Sequence, residues 1–152
     1  MGARDGALKK LISIYKYDSV RAAGVVLAEL LADCGDFGNM KIVALPTIAK
    51  HIRERGFDHS MKLAQNVARR HKTEVVKILM RSNNAVQVGA SEEKRAEQAK
   101  TAYILRKDVD LNANYLLIDD VWTTGSSMLA ACGVLKRGGC KNINIAVIAK
   151  SG

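Results

Sequence analysis

Tyr115-Leu-Leu-Ile-Asp-Asp-Val-Trp-Thr-Thr-Gly-Ser-Ser127 sets an acidic pair and a hydroxyl-rich glycine turn directly behind an apolar run. Four apolar residues in succession, 115–118, match a strand covered on both faces. The polar residues after them then emerge at its carboxyl end, where open parallel sheets bind ligands. Met128, Leu129, Ala130, Ala131, Val134 and Leu135 form an apolar helix face that closes at Gly138 and Gly139, which predicts a helix over 126–137 and makes 123–127 a strand-to-helix turn. The unpaired N–H groups and positive dipole end of that helix make an anion site. Gly125 lets the backbone approach a phosphate closely, and Thr123, Thr124, Ser126 and Ser127 offer hydroxyl donors. Asp119 and Asp120 repel phosphate; they suit a ribose diol, as hydrogen-bond acceptors, or a hydrated Mg²⁺ held through water. A lone Asp-Asp or Thr-Gly pair reads as a cap or a turn. The order strand, acids, glycine turn, helix is what points to a phosphorylated sugar. No Gly-Lys-Ser/Thr follows, so this is not a Walker loop, and the Gly-x-Gly-x-x-Gly spacing of dinucleotide folds is missing.

Working outward, helices are expected over 7–16 and 20–34, the second capped by Asp18 or Ser19 and stopped at Gly35. Then come a strand at 42–45, a helix at 58–71 and a strand at 75–80. Residues 82–90 read as loop, Ser91 caps a short helix of mixed charge, 102–105 is a candidate edge strand, and 143–149 is the last strand. Strands alternating with helices imply an α/β fold: a parallel sheet with helices on both faces, right-handed crossovers, and a switch of strand order beside the glycine turn. There is no repeat, linker or break, so 1–152 is expected to be a single domain, with 1–40 a helical amino-terminal region.

Hydrophobic residues make up 48% of the chain and aromatics 5%, so its core should be aliphatic. Cys34, Cys132 and Cys140 have no metal spacing and read as reduced, mostly buried thiols of a cytoplasmic protein. Residues 25–32 are too short to span a bilayer and contain Glu29, and 1–6 lack an apolar signal core, so no membrane association is expected. The formal charge of +9 is localised: 1–40 hold five basic and five acidic residues, 41–81 ten and three, 82–152 nine and seven. Such a block steers polyanions or binds nucleic acid. Arg69, Arg70 and Lys72 read as a solvated helix face, whereas Arg53 and Arg55 are placed in the loop after strand 42–45, beside the acidic pair, where a pyrophosphate would meet them.

Residues 115–127 resemble the phosphoribosyl pyrophosphate (PRPP) motif of type I phosphoribosyltransferases. The rest of the chain resembles their ComF branch of competence-associated proteins, through Tyr15-Lys16-Tyr17, Ala44-Leu45-Pro46, Arg53-Glu54-Arg55-Gly56-Phe57-Asp58, and Gln87 with Lys94-Arg95 and Ala102-Tyr103. Asp58, Gln98, Tyr103 and Ser127 depart from the branch pattern, which more often has Asn, Asn, Phe and Thr. No Cys-x-x-Cys of its usual amino-terminal zinc module is present. The resemblance implies transfer of a phosphoribosyl group from PRPP, with Mg²⁺, to a nitrogen acceptor. Asp119, Asp120, Arg53 and Arg55 would be catalytic. Val121, Thr123, Thr124, Gly125, Ser126 and Ser127 would hold the 5-phosphate, and Asp119 and Asp120 the ribose and, indirectly, the metal. Pro46 and Thr47 would begin the pyrophosphate loop. Lys94 and Arg95 would either close over the diphosphate or pair with Glu97 and Glu92 on a helix surface. The acceptor base is not legible, and any hood over it would come from 1–40. A homodimer fits this fold. The alternative is a non-catalytic module that senses PRPP or a nucleoside monophosphate, or sits with single-stranded DNA or a DNA-processing protein.

Overall fold

The computed structural model describes residues 2–3, 6–17, 20–82 and 102–150. Four strands form the main sheet: β1 (Gly2–Ala3), β2 (Lys41–Ala44), β5 (Asn114–Trp122) and β6 (Asn142–Lys150), all parallel, in the order β1-β6-β5-β2. β3 (Leu79–Arg81) and β4 (Tyr103–Leu105) form a separate antiparallel pair. The helices are α1 (Gly6–Tyr17), α2 (Arg21–Ala32), α3 (Ala49–Arg55), α4 (His59–His71) and α5 (Ser126–Arg137).

Alternation along the strands divides the core between the two faces. Ile42, Ala44, Leu116 and Ile118 pack with α1, α2 and α4. Val43, Leu45, Tyr115 and Leu117 pack with α5 and the β3–β4 pair. Helices thus cover both faces of a parallel sheet, as the sequence implies. Most of the core is aliphatic; beside Tyr103 and Tyr115 on one face, rings gather on the other in a cluster of Tyr15, Phe57 and His59, with centroids 4.9 to 5.5 Å apart. Gly24 on α2 faces that cluster, where a Cβ would run into the ring of Tyr15.

Several boundaries differ from expectation. β5 runs past 118 to Trp122, because β6 remains paired to it as far as Trp122↔Lys150. β2 ends at Ala44, after which Leu45 makes one bond to the Ile118 carbonyl at 3.0 Å and the chain leaves. Asp119 and Asp120 are therefore strand residues at the place where one neighbour has gone. Of the strand expected over 75–80, only its start meets the main sheet, as a bridge of Val75 to Ile42 on the outer side of β2 with the Val76 N–H donating to the Ile42 carbonyl at 2.8 Å; Leu79–Arg81 turns off to pair with β4. The chain thus steps outward from β2 and returns on its other side as β5, which puts the reversal of strand order at the gap beside Asp119. Arg53 and Arg55 lie in a short helix rather than a loop; α3 ends at Gly56 in the left-handed conformation. α2 starts after Val20, which makes no side-chain cap, and ends at Ala32; Asp18 and Ser19 lie outside the described residues. Cys132 and Cys140 are buried, but Cys34 is exposed. Among the described residues no helix is long and apolar enough to cross a membrane.

Candidate functional site

The gap between β2 and β5 opens into a cleft of about 420 Å³. On its floor, Oδ1 of Asp119 accepts hydrogen bonds from Ser60 Oγ at 3.0 Å and from the Asp120 N–H at 2.9 Å. Asp120, 6% exposed, meets Lys16 Nζ through Oδ2 at 2.7 Å. Burial, then the neighbouring Asp120 charge, raise the pKa of Asp119 to about 6. Negative charge at the pair is therefore not fully compensated by Lys16. Hard carboxylate oxygens facing a polar cleft with charge to spare fit a divalent cation of the Mg²⁺ kind.

Behind the acids, Gly125 caps α5 at φ 77°, a left-handed conformation, and a Cβ there would strike the indole of Trp122. Two separate constraints thus select glycine, close packing and backbone angle. Thr124 Oγ1 accepts from the Ser126 N–H at 3.3 Å and shares a hydrogen bond with the Ser126 hydroxyl at 2.8 Å, bracing the turn. α5 has no acidic residue in its first turn. Val121, Thr123 and Ser127 line the cleft; Gly125 lines a smaller recess behind it, with Trp122 and Met128. Thr124 and Ser126 line neither.

The opposite wall comes from α1, α3, α4 and the loop after β2. Pro46 and Thr47 line it, and the Thr47 hydroxyl donates to Asp58 Oδ1 at 2.9 Å. Asp58 in turn caps α4 by accepting from the Met61 N–H at 3.1 Å, so this departure from the branch pattern carries a capping role. Arg55 lines the cleft, with its guanidinium 5.6 Å from the Tyr17 ring centre and Nη1 3.4 Å from His59 Nε2. Burial, then Arg55, lower the pKa of His59 to about 4, so its ring is neutral near pH 7. Arg53 is exposed and does not line the cleft: residues two apart on a helix point to opposite sides. Lys94 and Arg95, with Gln87 and Gln98, lie outside the described residues.

Residues not singled out as site residues from the sequence also line the cleft. Lys16, Tyr17, His59 and Ser60 belong to it, as do Arg81 and Tyr103 from the β3–β4 pair. Arg81 Nη1 donates to the Tyr103 hydroxyl at 3.3 Å and its guanidinium lies 5.4 Å from that ring's centre, and Tyr103 and Ser127 line the same cleft. Two departures from the branch pattern, Tyr103 and Ser127, therefore border one cleft. A polar Ser60 on the buried face of α4, among Leu63, Ala64 and Val67, was the available signal for that residue. Arg69 and Arg70 sit away from the cleft at the end of α4; Arg69 donates to Asn66 at 3.3 Å and Arg70 lies 3.8 Å from Asp33, a solvated face.

No protein-family model matches the sequence, and no curated protein matches it. Solved structures match in shape. Over 90% of the chain, at 15% identity and a TM-score of 0.64, it is similar to the glutamine PRPP amidotransferase from B. subtilis complexed with ADP and GMP. Over 87%, at 14% identity and a TM-score of 0.53, it is similar to the adenine phosphoribosyl transferase from Trypanosoma brucei in complex with AMP, pyrophosphate and ribose-5-phosphate. Over 88%, at 14% identity and a TM-score of 0.51, it is similar to the orotate phosphoribosyltransferase from Aeropyrum pernix. The chain spans 30% of the first, 54% of the second and 75% of the third. The fold is that of the type I phosphoribosyltransferases.

Proposed function

We propose that this chain is a single phosphoribosyltransferase-like domain that binds PRPP with Mg²⁺ in the cleft beside Asp119 and transfers the phosphoribosyl group to a nitrogen acceptor. The observation that carries this reading is convergence. The acidic pair, the glycine-capped helix start and the cations Lys16, Arg55 and Arg81 border one cleft at the reversal of strand order. In this reading the free N–H groups at the start of α5, with Thr123 and Ser127, hold the 5-phosphate. Asp119 and Asp120 accept from the ribose diol and would hold the cation, which neutralises charge on the departing pyrophosphate when bound. Arg55 and Arg81 face the diphosphate, while Pro46 and Thr47 shape its loop. Arg53 is left out of this reading, because it is exposed and does not line the cleft. A C–N bond forms at the ribosyl carbon as its bond to the diphosphate oxygen breaks and pyrophosphate leaves with the electron pair. The chain's contribution is positioning and charge rather than covalent chemistry. The ComF branch rests on the Lys-Tyr and Arg-Gly-Phe segments.

Calorimetric titration with PRPP, with and without Mg²⁺, tests the assignment on the wild-type chain and on Asp120→Asn. Binding that needs Mg²⁺ and is lost in the variant is expected. Equal binding by both proteins would make the carboxylate assignment wrong.

A further inference from the structure

Lys16 sits one residue from the end of α1, yet its ammonium reaches β5, 2.7 Å from Asp120 Oδ2, with the two side chains 18% and 8% exposed. An ion pair so far out of water persists only where geometry compensates the desolvation of both charges. Here the neighbours of Lys16 fix that geometry. Tyr15 donates to the His59 carbonyl at 2.8 Å and packs edge-on against the His59 ring. Burial, then Asp120 and Asp58, keep its phenol protonated as that donor. Tyr17 on the other side lies under the Arg55 guanidinium. The last turn of α1 is therefore anchored on both sides of Lys16. Among the described residues Asp120 has no other side-chain partner, whereas Asp119 is held from α4 by Ser60 and from within β5 by the Asp120 N–H. Each carboxylate is thus aimed by a different element.

We propose that Lys16 is a positioning residue for Asp120: it fixes the orientation of that carboxylate, so that both acids meet a ribose diol at one set spacing, and it makes α1 part of the ligand site. This rests on the acidic pair being the ribose site. A lysine that instead touched PRPP directly would act independently of Asp120, and a double-mutant cycle separates the two.

The cycle comprises wild type, Lys16→Gln, Asp120→Asn and the double variant, each titrated with Mg²⁺ and PRPP by calorimetry. Lys16→Gln and Asp120→Asn should each weaken binding by about tenfold or more, and the double variant should bind no more weakly than Asp120→Asn alone. Multiplying losses would overturn the proposal in favour of direct contact, as would unchanged binding by Lys16→Gln. If Lys16→Gln leaves a buried charge unpaired and fails to fold, the comparison of Asp120→Asn with the double variant still decides, since the double variant has an amide pair and no orphan charge. Failure of the wild type to bind PRPP would overturn the ribose-site reading and this inference with it; binding by the wild type with multiplying losses overturns the inference alone.

Discussion

The two walls of the cleft are built in opposite ways. Asp119 to Ser127 is one uninterrupted piece of chain, whose strand, turn and helix start deliver acids and amide donors in sequence order. The facing wall is assembled from Lys16 and Tyr17 on α1, Arg55 on α3 and Ser60 on α4, joined by packing and by tertiary contacts such as Tyr15 to the His59 carbonyl. The difference separates ligand chemistry, which a short motif can encode, from the counter-charges that tune it, which the tertiary structure must supply. Breaking the continuous wall should therefore alter binding directly, and breaking the packing behind the assembled wall should act through stability and alignment.

The largest effect is expected on the continuous wall. Asp119→Asn should weaken PRPP binding by about 2 to 3 kcal/mol, roughly 100-fold, by removing a charged acceptor. Thermal melting of the free protein should stay level or rise, because Asp119 is an under-compensated charge beside Asp120. Melting that falls with binding would show that Asp119 is structural. Behind the assembled wall, Gly24→Ala on α2 forces a methyl group toward the buried ring of Tyr15 and should destabilise the fold by about 2 kcal/mol. Denaturant unfolding measures this; an unchanged midpoint would mean that α1 and α2 give way easily and that the wall is less fixed than its contacts imply.

Acid titration sharpens the contrast, because each wall carries a displaced group of opposite sign. His59, lowered from 6.5 to about 4, contributes stability above pH 6.5 that is lost as pH falls toward 4. Asp119, raised from 3.8 to about 6, contributes stability below pH 3.8 that is lost as pH rises toward 6. Stability of the wild type relative to His59→Gln should therefore fall on acidification from pH 6.5 to 4, and relative to Asp119→Asn should fall on raising the pH from 4 to 6. Each difference should be of order 1 kcal/mol after solvent screening. Unfolding curves at several pH values read both signs, and a single shared sign would contradict the charge distribution. The smallest effect is expected where the β3–β4 pair borders the phosphate turn. Tyr103→Phe removes the hydroxyl that accepts from Arg81 and should weaken PRPP binding by about 0.5 to 1 kcal/mol, a few-fold change. No change in calorimetric affinity would mean that the pair merely lies beside the turn.

The legibility of the molecule follows the same division. The α5 boundaries and the glycine turn were readable, because a helix face and its stop signals are local. The length of β5 was not: Asp119 and Asp120 look like loop residues, and only their pairing with β6 as β2 departs keeps them extended. Arg53 and Arg55 looked equivalent in sequence, but a helix closed by Gly56 sends one into solvent and the other into the cleft. Lys16 was visible only as part of a Lys-Tyr pair, since its partner is chosen by the fold. Arg81 was hidden for a similar reason: it falls just past the strand expected over 75–80, whereas it lies in a separate pairing with β4 that turns it toward Tyr103.

Trp122, whose indole fills the space beneath Gly125, is the chain's single tryptophan. Its emission therefore reports from one location, the underside of the turn assigned to the 5-phosphate, without contributions from indoles elsewhere. Occupancy of that turn should be observable as a change in intrinsic fluorescence of the unlabelled protein, giving each variant above its own optical titration.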